Sequence, residues 1–209
     1  SDDPIAVMFK EDAHYYLGVG QYEQRRYVKA IQTLDAFLKA RGVKNKHASD
    51  ARYFQFKSAE SLYAGSPNSN NDALYIAKIS DFTRDYPRHR FVYEAHFRLG
   101  EYFQEKGEYL KAVKAYKKVR RAPAYQVRAD FATVQSYFEV LHAVEDGDPS
   151  VLLDEAEVRE RISESLDSYW TSSEKLTLNS PRLSKRAPYN EYPAKATVMQ
   201  VVYLGHEMD

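Results

Sequence analysis

A seven-residue segment occurs twice in this chain, and it constrains the fold more than any other feature. Residues 12–18 read Asp-Ala-His-Tyr-Tyr-Leu-Gly, and residues 94–100 read Glu-Ala-His-Phe-Arg-Leu-Gly. An alanine, Ala30 or Ala112, follows 13 residues after each leucine. Small residues at such positions let two helices approach closely, and large neighbours fill the space between hairpins. The recurrence therefore predicts stacked helical hairpins.

The spacing of apolar residues predicts helices along most of the chain, because these residues recur every three to four positions. No β-strand is expected. Ser49 and Asp50 are candidate N-caps of one predicted helix, and another is capped by Asp148 with Pro149 in its first turn. The remaining helices are expected at about 8–24, 26–40, 72–86, 91–105, 109–121 and 125–145, with the capped helix reaching about 174. Residues 177–193, which contain three prolines, are expected to be mostly irregular, and a terminal helix is expected over 194–209.

The segment 93–126 places Leu99-Gly100, Ala112 and Tyr116 where the 34-residue tetratricopeptide pattern requires them. The chain resembles the tetratricopeptide repeat family on these residues. The resemblance implies an all-α, right-handed superhelix of antiparallel helix pairs over residues 8–176. The expected units are about 11–44, 48–87, 93–126 and 125–172. Leu204-Gly205 fits the first helix of a further unit, so the terminal helix either caps the stack or begins another repeat of a longer protein.

A second resemblance concerns the segment 81–100, in which Phe82-Thr-Arg-Asp-Tyr86-Pro87 ends one helix before the Leu-Gly helix begins. This segment resembles bacterial envelope tetratricopeptide proteins, namely the BamD-type outer-membrane assembly lipoproteins and the cell-division coordinator proteins. The resemblance implies a periplasmic adaptor, anchored through lipid at the outer membrane. The start at Ser1-Asp-Asp-Pro is typical of a mature or trimmed chain, such as a lipoprotein cut after its lipidated cysteine. A cytoplasmic location is the alternative.

The first helices of such hairpins line a concave face, and counting from Leu-Gly identifies the residues that point into it. They form an aromatic groove with an acidic rim, which suits an apolar or extended peptide. The alternative is that about half of these rings pack in the core between repeats. The predicted groove residues are Tyr15, Val19, Tyr22, Tyr53, Phe56, Glu60, Tyr63, Phe97 and Glu101.

Composition and motifs argue against several functions. The chain has 30 Lys and Arg and 30 Asp and Glu, and this zero net charge argues against nucleic acid as the partner. There is no cysteine, which excludes disulfides and thiolate metal sites in these residues. No stretch is apolar enough to span a membrane. His14 and His96 occupy equivalent repeat positions, and their side chains are expected to be packed in a structural role. No catalytic motif is present, so neither an enzyme nor a cofactor or metal is expected.

Two further segments carry functional hypotheses. The residues Lys111, Lys114, Lys117, Lys118, Arg120 and Arg121 make the sixth helix basic. A solvated helix face explains them, and an acidic partner or an anionic membrane surface is the alternative. In the segment 177–193, Tyr189 and Tyr192 with nearby basic residues are expected to pack into the protein's own groove or into that of a neighbour.

The leading hypothesis is a non-enzymatic scaffold that binds a protein or peptide in the aromatic groove, in a bacterial envelope complex such as outer-membrane assembly. The rival hypothesis is a structural subunit of a larger or self-associating assembly, in which residues 177–209 fill the groove. Whether the chain forms a homo-oligomer is left open.

Overall fold

The computed structural model describes residues 4–41, 45–148 and 151–205, and the side chains within 12–40, 45–148 and 151–202. The described residues are mainly helical and include no strand, which confirms the all-α, tetratricopeptide-type fold class. The helices are α1 (Pro4–Glu23), α2 (Tyr27–Arg41), α3 (Ala48–Gly65), α4 (Ser69–Asp85), α5 (Val92–Glu105), α6 (Tyr109–Tyr116), α7 (Pro123–Glu145), α8 (Glu155–Asn179), α9 (Pro181–Ser184) and α10 (Tyr192–Gly205).

The chain divides into two compact units, Ser1–Ala95 and His96–Asp209, and the division falls inside α5. In the first unit α1 packs on α2, α2 on α3, and α3 on α4. In the second unit α6 packs on α7 and α7 on α8, while α9 and α10 both contact α8. Consecutive helices thus pack on one another within each unit, as the repeat predicts.

One core of the first unit forms where α1, α2 and α3 meet. Leu34 is fully buried, Phe37 and Leu38 are nearly so, and Ala48 and Ala51 of α3 pack against them without exposed surface. Ala30, the alanine of the recurring pattern, is also fully buried. Burial of these apolar groups is the main stabilising contribution in a fold of this kind.

The core of the second unit lies mainly between α7 and α8. Val134 and Ile162 have no exposed surface, and Tyr137 is almost as deeply buried. Ala196 of α10 is also fully buried in this core. The ring of Tyr192, at the start of α10, stacks on Phe131 with 4.4 Å between centroids. The C-terminal segment is therefore part of the second unit's packing.

Three of the turns between helices share one hydrogen-bonding pattern. After α1, the N–H of Arg25 donates to the carbonyl of Tyr22 and that of Arg26 to Gln21, both at 2.8 Å. The same pair of bonds follows α5 and α7. In these turns the residue in the left-handed conformation is Arg25 after α1 (φ 59°), Gly107 after α5 (φ 72°) and Gly147 after α7 (φ 73°). This is the Schellman motif, in which glycine is preferred at that position.

Several predicted helix boundaries are wrong. α3 begins at Ala48, before both Ser49 and Asp50. α8 begins after Asp154, whose side chain accepts a hydrogen bond from the Glu157 N–H at 2.7 Å. The helix therefore does not begin at the predicted cap, Asp148. Pro149 and residues 206–209, which also belong to predicted helices, lie outside the described residues.

Other helices begin or end at residues that differ from the predicted ones, because local turns and caps set their ends. α6 ends at Tyr116 rather than near 121, because the following residues turn and Arg121 adopts a positive φ of 62° before Pro123 opens α7. α8 continues to Asn179, and α9 occupies Pro181–Ser184, so the segment 177–193 is only partly irregular. α4 starts at Ser69 because Asn68 caps it with bonds from the N–H groups of Asn70 and Asn71.

Candidate functional site

Three of the predicted groove rings lie in the interior of their unit. Tyr15 is 8 % exposed, and its ring stacks on His47 with 4.3 Å between centroids. Phe56 has no exposed surface and lies parallel to Phe82 at 6.1 Å. Phe97 is 3 % exposed, and the Arg128 guanidinium lies 4.3 Å from its centroid. These three rings fit the alternative that part of the aromatic set is core, and they offer a partner almost no surface.

The other predicted groove residues are partly exposed, but they do not all face the same way. Tyr63 stacks on Tyr75 of α4 at 5.4 Å with nearly parallel planes, so it belongs to the α3–α4 contact. Val19 packs against the core formed by α1, α2 and α3. Glu101, in the second unit, accepts hydrogen bonds from Arg98 at 2.8 Å and Arg128 at 3.4 Å. Only Tyr22, Tyr53 and Glu60 meet around a common partly exposed patch.

We call this patch the inner-face cluster, and it consists of Tyr22, Tyr53, Lys57, Glu60 and Glu94. Lys57 stands at its centre, donating to a carboxylate oxygen of Glu94 at 3.2 Å and to Glu60. The hydroxyl of Tyr53 donates to the other oxygen of Glu94 at 3.4 Å. The cluster draws on α1, α3 and the first turn of α5, all within the first unit.

The electrostatics of the inner-face cluster keep its lysine charged. Burial alone lowers the pKa of Lys57, but the hydrogen bonds and charges of Glu60 and Glu94 outweigh it and raise that pKa above its ordinary value. The pKa of Tyr53 is also raised, first by burial and then by the charge of Glu94. The cluster therefore presents neutral phenols around a paired ammonium group at neutral pH.

Aromatic packing holds the two tyrosines of the cluster in place. The Tyr22 ring lies 5.2 Å from that of Phe54 and 5.9 Å from that of Tyr27. Tyr53 stacks on Phe91 at 4.4 Å. Rings fixed in this way lose little conformational entropy when they are covered by a partner.

A second polar cluster surrounds Arg128 in the second unit. Its guanidinium covers the Phe97 ring, lies 5.9 Å from the Tyr125 centroid and donates to Glu101 at 3.4 Å. Arg128 also donates a hydrogen bond to Tyr192 of the C-terminal segment. Tyr189 and Tyr192, which are expected to pack into the protein's own groove or into that of a neighbour, are partly buried against the second unit's core.

The two histidines of the recurring segment differ in the structure. His96 is largely buried, and burial followed by the charge of Lys118 lowers its pKa to about 4, which fits a packed neutral ring. His14 is exposed on α1, so the packing role predicted for it is wrong. Within the described part of the chain, no group of three His, Asp or Glu side chains is arranged to hold a metal ion.

Sequence reasoning missed Lys57 and Arg128, the central cations of the two clusters. Lys57 follows Tyr53 by four residues and precedes Glu60 by three, so helical periodicity alone puts the three on one face of α3. No comparable spacing indicates the role of Arg128, because its partners Phe97, Glu101 and Tyr192 come from distant parts of the sequence.

Comparison with known families supports the repeat. The model of the tetratricopeptide repeat family matches residues 12–40, which carry most of α1 and α2, and residues 94–123, which carry most of α5 and all of α6. These matches support a tetratricopeptide repeat protein, a class that generally mediates protein–protein interaction. No curated protein matches the chain. Among the described helices, none combines the length and the apolar character needed to cross a membrane.

Proposed function

We propose that this protein is a non-enzymatic scaffold that binds a partner protein or peptide at the inner-face cluster. The observation that carries the proposal is that Tyr22, Tyr53 and Glu60 come from separate turns and helices yet surround one lysine on a partly exposed face. Tetratricopeptide repeats in the matched segments give the general expectation of a protein partner.

The chemistry of the cluster favours a partner that presents both apolar and polar groups. Tyrosine rings offer large contact area at low entropic cost, and their hydroxyls donate or accept hydrogen bonds at the edge. Lys57 is neutralised by Glu60 and Glu94, so the patch carries a slight negative excess. A partner segment with a basic residue beside apolar side chains fits this arrangement.

The cellular setting is part of the same proposal. The resemblance of the segment 81–100 to envelope tetratricopeptide proteins supports a role in a bacterial cell-envelope complex such as outer-membrane assembly, in the periplasm and with lipid anchoring. Fractionation of the producing cells tests this setting by itself. Recovery in the cytosolic fraction contradicts the envelope role while leaving the scaffold role intact.

Site-specific photo-crosslinking tests the scaffold role. A benzoylphenylalanine placed at Tyr22 reports on the cluster, and the same group at Tyr16, which is 60 % exposed on the same helix, is the matched control. We expect adducts with another protein from position 22, reduced in a Glu60→Gln background, and few from position 16. Equal adducts at both positions, or adducts that do not respond to Glu60→Gln, contradict the proposed site.

A second candidate function is the structural subunit in a self-associating assembly, and α10 provides the observation for it. Val198, Val201 and Val202 are 63 %, 64 % and 47 % exposed and recur at helical spacing, so α10 presents an apolar stripe. Beside it lies an apolar cleft of about 410 Å³ lined by Phe131, Gln135, Ala194, Lys195, Val198 and Met199. Ala196 of the same helix is held in the core.

Sedimentation velocity distinguishes the two candidates. A structural subunit sediments as an oligomer, and Val198→Lys/Val202→Lys converts it to a monomer because the charges cannot be buried. A scaffold sediments as a monomer in both forms, and the photo-crosslinks at position 22 then involve other proteins rather than copies of the chain.

A further inference from the structure

The second unit contains a cleft of about 800 Å³ between the segment 117–126, the first turns of α7, and α8. Gln126 and Asp130 lie one helical turn apart on α7, and Asp167, Thr171 and Lys175 recur at the same spacing on α8. Residues four apart share one face of a helix, so each helix turns a continuous strip of side chains toward the cleft.

Positive charge dominates the walls of this cleft. Four basic side chains line it: Lys117, Arg120, Arg121 and Lys175. Lys117 donates to the Tyr137 hydroxyl at 3.2 Å, and Arg120 donates to the carbonyl of Lys117 at 3.3 Å. The charge of Arg120 also acts on the Asp130 carboxyl and favours its ionised form. The four cations outnumber the two carboxylates of the same lining, Asp130 and Asp167, and an excess of cations in a concave site attracts an anionic ligand.

The two acidic groups of the cleft, Asp130 and Asp167, cancel only part of this charge. Asp130 is partly buried in the cleft, and burial raises its pKa to about 6, while polar contacts with Ser172 and Gln126 and the charge of Arg120 act in the opposite direction. Asp167 is exposed at the wall. Hydroxyl groups of Ser168 and Thr171 supply neutral donors in the same cleft.

The lining also contains apolar surface and therefore indicates more than a single small anion. Pro123 is exposed in the lining of the cleft beside the charged groups, whereas Val119 is only 2 % exposed. Carboxylates spaced along a peptide backbone could reach Arg120, Arg121 and Lys175 in turn while the backbone covers this apolar part. A nucleic acid fits less well, because the chain has no net positive charge to attract it.

We propose that this cleft binds an extended acidic segment of a partner protein, with its carboxylates held by Arg120, Arg121 and Lys175. The site is separate in residues and in chemistry from the inner-face cluster. It gives the basic residues that follow α6 a specific role, in place of a merely solvated surface.

Fluorescence anisotropy with a short, labelled oligoglutamate peptide and the full chain tests the proposal. The test variant is Arg120→Gln/Lys175→Gln, and the matched control is Lys114→Gln/Lys118→Gln, which removes the same charge from exposed residues beside the cleft but outside its lining. We expect about tenfold weaker binding for the test variant and less than about twofold for the control. Circular dichroism confirms that both variants keep their helices.

Three outcomes overturn the proposal. Equal losses in the test and control variants would show a diffuse basic surface, and binding of an oligoglutamine peptide as tight as that of oligoglutamate would remove the electrostatic argument. Single-stranded RNA or phosphatidylglycerol vesicles that bind more tightly than the peptide, with the same dependence on Arg120 and Lys175, would assign the cleft to a different class of ligand. The variant Tyr22→Ala should leave oligoglutamate binding unchanged, so this test and that of the proposed function can fail independently.

Discussion

Gly100 of α5 lies directly against the ring of Tyr116 of α6, and a Cβ atom added to the glycine would stand 2.3 Å from Cε1 of that ring. Tyr116 is 1 % exposed, and its hydroxyl donates to Gln104 at 2.7 Å, so the ring is held in place. Gly18 of α1 has the same relationship to Leu34 of α2, at 2.6 Å. The recurring glycine therefore sets how closely the two helices of a hairpin approach.

Gly100→Ala is expected to destabilise the protein by about 1–3 kcal/mol, because overpacking displaces a buried ring that has no free direction of movement. Urea unfolding followed by circular dichroism measures the change. Gly20→Ala in α1 is the control, since no atom lies within 4 Å of its added Cβ. It should stabilise the helix by about 0.5–1 kcal/mol. A Gly100→Ala variant with an unchanged free energy of unfolding would contradict the close-packing role.

Arg25→Gly is expected to raise the free energy of unfolding by about 0.5–1 kcal/mol, because Arg25 holds a left-handed conformation that costs an L residue about 1 kcal/mol or more. The gain is partial, since glycine is more flexible in the unfolded chain. Gly107 occupies the equivalent position after α5, so Gly107→Ala should destabilise by a similar amount. Thermal unfolding of both variants checks the opposite signs, and two changes of the same sign would refute the argument.

Gln55→Glu is expected to destabilise the first unit by about 1–3 kcal/mol at pH 7, because it loses the amide donor and buries a charge that the Arg52 guanidinium, 3.1 Å from the Gln55 oxygen, offsets only in part. Gln55 has no exposed surface, and its amide donates to Asp35 at 2.6 Å and to the Ile31 carbonyl at 3.4 Å. A carboxylate there would face both oxygens.

The loss should shrink toward pH 4, as the new carboxyl group becomes protonated and can donate again. Chemical unfolding at the two pH values measures this dependence. Gln32→Glu, at an exposed position of α2, is the control and should change stability little. A Gln55→Glu loss that is the same at both pH values would mean that lost packing, rather than charge, is responsible.

Asp130→Asn is expected to stabilise the protein by about 1–2 kcal/mol above pH 7, because burial raises the pKa of the aspartate to about 6. The Asp130 carboxyl binds its proton more tightly in the native state than in the unfolded state. Its contribution to the free energy of unfolding of the wild-type protein therefore falls as pH rises from about 4 through 6. The asparagine does not ionise, and its advantage should therefore vanish below about pH 4. Unfolding measured between pH 4 and pH 8 checks this; a gain independent of pH would contradict it.

The amino-acid sequence by itself determined the hairpin architecture. Ala30 and Ala112 are both fully buried, and Gly18 and Gly100 both lie against a large side chain of the next helix, as the recurring pattern predicts. These features depend on residues close together in the sequence, where helical period and residue size decide which side chains meet. Helix ends were harder to predict, because Asp148 and Asp154 are equally good caps by composition and only one begins a helix.

Only the tertiary structure decided which of the predicted groove residues face a partner. Tyr22 and Phe56 are both aromatic and both on the predicted face, but Phe56 is covered by Phe82 and Tyr75 whereas Tyr22 remains partly exposed. The position of Lys57 in the inner-face cluster likewise depends on its hydrogen bond to Glu94, which lies far along the chain. Helical periodicity orients a side chain relative to its own helix, whereas its burial depends on neighbouring helices whose positions are set by packing at a distance in sequence.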